Sequence, residues 1–496
     1  MWSLSRRIRW TALTAFAAGA LAACSDGSRS SSGTDLLTPA APIVPASVTV
    51  VVGSATMVLQ ARVSFTAAGA DSVRVAYQAP NGPVQFTPFH AVGQNGDTIL
   101  VLGLRPKSRY TYHVEAMTGG VSASSTDAAF TTAQVPGQLD NVQIQQISGA
   151  QHHYVATGVL TGDGGYAVIF DSTGTIVWYH DFTATKLTVS NVVMQPNGNI
   201  TAFLGNTSGW QPLEGYYVEM NPAGDIVNTY RPPAGSFMDD HEFLITGSGA
   251  SQTVQYFTFT TRQLDLSALG LSPNTTTAGH QIRRFNASGA EEFTWDAWDH
   301  ISIDEWVGDT TAKTTRGNST DFDHPNAMTF DTAGNYVVSW RNLDQIMAID
   351  PNNGNVLWRL GGTKSDFTFV NDPLNGFYKQ HSVKVLANGD ILLFDNGAGH
   401  VPAQSRAVEY RLDMTAKTAT MVWESRHNPP LFAVFVGWVD RFMNGNTWVA
   451  YSYFGRAVEV DASSNVVWEG QLVVNGANPT AYRMVPIVSL YRYVKT

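Results

Sequence analysis

Four short stretches place reactive side chains at the edge of an apolar run. "MDDHEFLI" carries His241, "DFDHPNAMTF" carries His324 and Asn326, "SWRNLDQI" carries Arg341, and "YKQHSVKV" carries His381. In the last, His381, Val383 and Val385 alternate with Ser382 and Lys384, so the run reads as a strand. Alone, each histidine is best explained as a hydrogen-bonded core residue. The chain has 12 histidines, and His152, His153, His180 and His400 are read as structural. Repetition of one placement, just ahead of a strand that leads into a turn, makes the set His241, His324 and His381 a candidate site. Arg341 adds a planar cation that forks onto two oxygens. One imidazole can then attack as a nucleophile while another shuttles a proton.

This combination suits an anionic substrate group. Three histidines could hold zinc with one open position, but a guanidinium beside a dication is electrostatically costly. No metal is therefore expected. No nucleotide donor is indicated either, because "LGGTKS" at 360–365 lacks the first glycine of a phosphate loop. A net charge of −10, with no Lys/Arg-rich run beyond the first ten residues, argues against nucleic acid as a partner.

Residues so far apart must be gathered by the elements that carry them. From 138 to 496 the chain repeats an apolar strand, an Asp or Asn, a Gly-type turn and a second strand that often ends in Trp. The copies are "FDSTGTIVWY", "MNPAGDIVNTY", "FNASGAEEFTW", "IDPNNGNVLW", "RLDMTAKTATMVW" and "VDASSNVVWEG". A second hairpin recurs as "MQPNGNITAFL", "FDTAGNYVVSW", "VLANGDILLFD" and "RFMNGNTWVAY". Two hairpins give four strands, and six units of roughly sixty residues suit radially repeated sheets. The expected fold is all-β: a six-bladed β-propeller over 138–496, whose innermost strands line a central channel. A solenoid would show a shorter period.

Residues 46–135 read as a separate β-sandwich, with alternating strands and turn residues between them. In "LGLRPKSRY", Leu104, Pro106 and Tyr110 resemble the tyrosine corner of fibronectin type III-like sandwiches. Only 14% of residues are charged, against about a quarter in an average soluble protein. The 13 Trp, 18 Tyr, 24 Phe and 44 Gly fit short strands and tight turns.

The N-terminus reads as a targeting segment. Arg6, Arg7 and Arg9 precede the apolar run at 10–23, which ends in "LAAC". Residues 1–23 resemble a bacterial lipoprotein signal, and Cys24, the single cysteine, stands where such a signal places the lipidated residue. A plain secretory signal is the alternative, and "SRR" at 5–7 is a weak match to a twin-arginine signal. Residues 24–45, rich in Ser, Gly and Pro, are the expected tether. The implied location is outside the cytoplasm, anchored at the periplasmic side of a bacterial membrane or at the cell surface.

The region 138–496 resembles the bacterial arylsulfotransferases, which use no nucleotide cofactor. The matching strings are "DHPNAM", "SWRNLDQIMAIDPNNGNVLWRLGG", "KQHSVKVLANGDILLFDNG", "SRAVEYRLD", "GNTWV" and "AYRM". The resemblance implies a six-bladed propeller behind a small sandwich, and sulfuryl transfer from an aryl sulfate to a phenol by a ping-pong route. It implies that His381 is the nucleophile that becomes sulfated. His324 and Arg341 would bind and polarise the sulfuryl oxygens, His241 would be a further site histidine, and Asn326 a hydrogen-bond donor on the same loop. Partners would be aryl sulfates, phenols and the anchoring membrane, with a homodimer as the alternative to a monomer. Phe377, Tyr378, Phe432, Phe435 and Tyr453 are candidates to flank the rings. Against this stand a non-catalytic propeller acting as a scaffold, and a quinoprotein-like oxidoreductase. The latter needs a tryptophan platform and a calcium site that the sequence does not display.

Overall fold

Strands written as unbroken apolar runs, such as "YVVSW" and "QIMAI", must be covered on both faces. In the computed structural model they are: Tyr336–Trp340 and Gln345–Ile349 are buried throughout. The structure describes residues 41–93, 96–150, 153–162, 164–205, 215–306, 315–316 and 319–491. Residues 1–40, with the signal and Cys24, lie outside the described residues.

The all-β expectation holds. Beyond Val135 the described residues form six sheets, each built on four antiparallel strands in meander order. The second sheet is Thr188–Met194, Ile200–Gly205, Tyr216–Met220 and Ile226–Tyr230. The third is Phe237–Thr246, Thr253–Leu264, Thr275–Asn286 and Glu291–Asp296, with Ser319–Asp321 added in parallel. The fourth is Pro325–Phe330, Tyr336–Trp340, Gln345–Ile349 and Val356–Gly361. The fifth is His381–Val385, Ile391–Asp395, Arg406–Asp413 and Thr418–Ser425. The sixth is Trp438–Arg441, Thr447–Tyr451, Arg456–Val460 and Val466–Val474. The first breaks the pattern. Tyr154–Thr161, Gly164–Phe170 and Ile176–Asp181 take their innermost strand, Val485–Ile487, from the far end of the chain. Reciprocally, Val142–Gly149 adds a fifth, outer strand to the sixth sheet. This is why the sequence shows six copies of one hairpin and four of the other: the first sheet has no hairpin between its inner two strands, and in the third the turn is "TGSGASQ", which lacks the Gly-Asn or Gly-Asp pair that the four share.

The repeated turn has a local cause. Asp331 Oδ1 accepts from the backbone N–H groups of Ala333 and Asn335, at 2.8 and 2.9 Å, and Gly334 supplies a φ of +86°. Asp171 and Gly174 repeat the device.

The inner strands share one cavity. A cavity of about 590 Å³ is lined by Val193, Leu244, Met328, Lys384, Asp440 and Ile487 among others, one from the inner strand of each sheet. Above it the strands carry irregularities in register at Ser190/Val193, Met238/Phe243, Pro325/Ala327 and His381/Lys384. Bulges re-aim side chains, and here the polar groups they release bridge to neighbouring sheets. Asn191 Nδ2 donates to His241 O at 3.2 Å. Asn326 Nδ2 donates to Gln380 O at 2.6 Å. Ser382 Oγ accepts from Val439 N at 3.0 Å. Arg483, just before Val485–Ile487, donates to Asn191 Oδ1 at 2.7 Å, Glu242 Oε1 at 3.0 Å and Asn326 O at 3.0 Å. Its guanidinium lies 4.5 Å from the ring centroid of Trp438.

The N-terminal region forms two further sheets. One is Ala46–Val52, Ala61–Thr66 and Asp97–Val101; the other centres on Ser72–Gln78 and Arg109–Thr118. Their facing sides bury Val63, Val75, Tyr110 and Tyr112. Tyr110 Oη accepts from Arg105 N at 2.9 Å, which is the contact expected of a tyrosine corner. These sheets are joined to the rest by shared core: Met57, Leu59 and Leu102 pack in the cluster that holds Trp178 and Trp468. From Pro42 onward the chain is one compact unit.

Removing one partner of a buried ion pair leaves an uncompensated charge. Arg483→Met should therefore cost about 3–5 kcal/mol in chemical denaturation, and adding Glu242→Leu should recover part of that loss.

Candidate functional site

His381 opens the inner strand of the fifth sheet and is buried. Its Nδ1 lies 2.6 Å from Asn396 Oδ1 and 3.2 Å from Lys379 O. Asn396 Nδ2 donates to Ala433 O and Val436 O, at 2.8 and 2.9 Å, which fixes its Oδ1 toward the imidazole. Both neighbours of Nδ1 are acceptors, so Nδ1 carries the proton and Nε2 the lone pair. Burial holds the His381 pKa well below its ordinary 6.5, reinforced by the Arg341 guanidinium and by His241 and His324. The Asn396 hydrogen bond opposes this without reversing it. His381 is therefore a neutral imidazole at neutral pH, the form that can attack an electrophile.

His324 directly precedes the strand Pro325–Phe330, with a left-handed φ of +49°. Its Nδ1 is 2.6 Å from Asp321 Oδ2, and its backbone N donates to Asp323 Oδ1 at 2.8 Å. His241 lies inside its strand, Phe237–Thr246, rather than ahead of it; the irregular register of that strand does what a strand end does elsewhere. His241 Nδ1 is 2.9 Å from Asp239 Oδ1. The His241 and His324 ring centroids are 4.6 Å apart, edge to face, and Tyr482 stands edge-on to His241 at 5.7 Å. Arg341 leaves the strand Tyr336–Trp340 in a tight turn, where its N donates to His324 O at 2.9 Å. Burial lowers the Arg341 pKa, while Asp321 and Asp344 support its charge. Its Nη1 donates to Asn342 Oδ1 at 2.9 Å.

The structure thus brings His241, His324, Arg341 and His381 together from three sheets. Asn326 sits beside them but in a different capacity. It is fully buried, one amide N–H holds Gln380 O next to His381, and its backbone O accepts from Arg483. Arg341 also lines a cavity of about 860 Å³ with Trp306, Phe377, Tyr378 and Lys379. The "LGGTKS" loop forms part of its wall, but Lys364 is drawn onto Glu305 at 3.3 Å. His400 is structural as expected, paired with Asp395 at 2.7 Å.

Sequence reading missed the carboxylates and His280. Asp239 and Asp321 stand two and three residues before the histidines they hold, a spacing visible in "DDH" and "DFDH". His280, mid-strand, has Nδ1 2.6 Å from Asp323 Oδ1 and Nε2 3.3 Å from Asp239 Oδ2. Burial opposes its charge, but Asp323, Asp239 and Asp321 outweigh burial and push its pKa up to about 10. Two groups, Asp239/Asp240/His241 and His280/Asp321/Asp323, bring potential ligand atoms within 4.8 Å of one another. In both, a histidine nitrogen lies on a carboxylate at hydrogen-bond distance, and we read them as hydrogen-bonded pairs.

A buried neutral imidazole near a guanidinium and two carboxylate-backed imidazoles is an arrangement suited to transfer of an anionic group. The arylsulfotransferase (ASST) family model matches residues 216–473, more than half of the chain, and the chain belongs to that family. Among solved structures it is similar to a protein of unknown function from Bacteroides caccae: 17% identity, TM-score 0.41, covering 69% of this chain and 100% of that one. It is also similar to virginiamycin B lyase from Staphylococcus aureus: 11% identity, TM-score 0.28, covering 57% and 73%. Among curated proteins none matches.

A carboxylate in place of Asn396 would favour the imidazolium of His381. In the native protein the His381 ring should stay neutral below pH 6.5 in a histidine NMR titration, and stability should fall as pH drops below 6.5, because the unfolded chain takes the proton there. In Asn396→Asp the His381 titration should move upward, and an unmoved titration would contradict the assigned contact.

Proposed function

We propose that the protein transfers a sulfuryl group from an aryl sulfate to a phenol, through a sulfated His381. The observation that carries this is the His381 imidazole itself: neutral, fixed in the Nδ1–H tautomer by Asn396, and electrostatically coupled to Arg341, His241 and His324. His381 Nε2 attacks sulfur, the N–S bond forms, and the S–O bond to the aryl oxygen breaks. The leaving phenolate takes its proton from a site histidine, for which His241 and His324 stand ready on their carboxylates. A second phenol, deprotonated by the same group, then attacks the sulfated histidine and restores it. Donor and acceptor use the site in turn, so the kinetics are ping-pong.

Charge spreads over the peripheral sulfuryl oxygens in a loose transition state, as in phosphoryl transfer. Arg341 and His324 are the groups we assign to those oxygens. Asn326 we assign to holding the loop of His381. Phenol titrates near pH 10, as tyrosine does, so an aryl oxide leaves where an alkoxide would not. We read the six sheets as the blades of a closed propeller. In support, all six inner strands line one cavity, and Val142–Gly149 joins the sixth sheet while Val485–Ile487 joins the first. We further propose export and lipid anchoring through Cys24, on the strength of the "LAAC" string. No helix among the described residues is long and apolar enough to cross a membrane.

A chromogenic aryl sulfate with excess phenol tests the activity: dye release should depend on phenol. With donor alone, intact-protein mass should rise by one sulfuryl group, and His381→Asn should show neither effect. A folded His381→Asn that keeps full activity overturns the mechanism. Arg341→Lys loses the planar fork and should cost about 10²-fold or more in kcat. In cells of a bacterial host, incorporation of labelled fatty acid should disappear in Cys24→Ser.

A further inference from the structure

We propose that His280 is the positioning residue of the site, a single buried ring that ties the strand holding His241 to the loop holding His324. The kinetic part of this inference rests on the sulfuryl-transfer reading; the structural part does not.

His280 lies on the third strand of the third sheet, paired across from Phe259. It is 0% exposed. Nδ1 reaches Asp323 Oδ1 at 2.6 Å and stands 4.0 Å from Asp321 Oδ1; Nε2 reaches Asp239 Oδ2 at 3.3 Å. The His280 backbone N–H donates to Asp323 Oδ2 at 2.8 Å. Each of these carboxylates has a second duty at the site. Asp239 Oδ1 takes both the ring Nδ1 and the backbone N of His241. Asp323 Oδ1 takes the backbone N of His324, and Asp321 Oδ2 its ring Nδ1. Phe259 covers His280 at a centroid distance of 5.4 Å.

An ordinary core histidine is neutral and needs one donor and one acceptor. His280 meets acceptors at both nitrogens, so the contacts are complete when both are protonated. The three carboxylates support that state in the buried setting. Its positive charge also moderates the field that Asp239 and Asp321 exert on His241 and His324. Removing it makes the surroundings of both rings more negative. Asp240, 3.5 Å from His241, adds to the negative side, and Arg341 and the edge of Tyr482 complete the surroundings.

The test uses the whole protein with ¹⁵N-labelled histidine. In wild type, the His280 resonances should show both nitrogens protonated at neutral pH and lose a proton only near pH 10, while His241 and His324 should keep Nδ1 protonated toward their carboxylates. In His280→Gln the ¹⁵N resonances of those two rings should shift, because the carboxylates that hold them lose their common partner. In the dye-release assay kcat should fall by about 10²-fold, the cost of a small misplacement, with the donor KM changed less than about threefold. The acid limb of the pH–kcat profile should move upward. Should His280→Gln fail to fold, His280→Gln/Asp323→Asn removes one negative charge with the positive one. That pair should bring the pH limb back while kcat stays low. A neutral His280 in wild type overturns the proposal. So does an acid limb unmoved in the folded single variant, or a stoichiometric divalent ion that His280→Gln loses. Expected spectra in a wild type with no sulfuryl transfer would sink the activity and leave the positioning role standing.

Discussion

Arg483 is the contact on which the arrangement turns. Its guanidinium reaches Asn191 on the second sheet, Glu242 on the third and Asn326 on the fourth, and stacks on Trp438 of the sixth, while the strand that follows it completes the first. A cation so deeply buried survives only if it is fully hydrogen-bonded and paired. Satisfying it therefore sets the spacing of the inner strands. Those include the strand that presents His241 and the one that begins immediately after His324, and Asn326 carries the contact on to Gln380 O, next to His381.

The site above that contact is a lesson in how burial selects protonation. Two histidines lie within the same small region yet are driven in opposite directions. At His381 burial, reinforced by the Arg341 guanidinium, holds the pKa well below the ordinary range against the pull of the Asn396 amide oxygen. His280 faces carboxylates at both nitrogens and is held far above it. Neither state follows from residue type. Burial disfavours the charged form in both, and only at His280 do the surrounding carboxylates outweigh it.

The irregular inner strands explain how a repetitive fold carries a site at all. A regular strand would alternate side chains between the two faces of its sheet. The left-handed residues Asn191, His324 and Ser382, with φ of 47°, 49° and 52°, break that alternation. They turn polar groups toward adjacent sheets. The cost of those conformations is offset by cross-sheet hydrogen bonds such as Asn326 to Gln380 O.

The sequence alone determined what is local. Asx–Gly turns and two-faced apolar strands are short-range features, so the six hairpins and the all-β class could be read directly. His241, His324, Arg341 and His381 were legible because each sits in a compact string beside a strand. What it could not show were partners far off along the chain. Asp323 lies 43 residues from His280, and Asn191 lies 292 from Arg483. The exchange of terminal strands between the first and sixth sheets is likewise invisible, since Val142–Gly149 and Val485–Ile487 carry no hairpin signal. Asn326 read as a donor to a substrate; the fold commits one of its amide hydrogens to a backbone carbonyl. Such roles depend on which sheets become neighbours, and only the packed structure decides that, because buried polar groups take whichever partner the packing brings within reach.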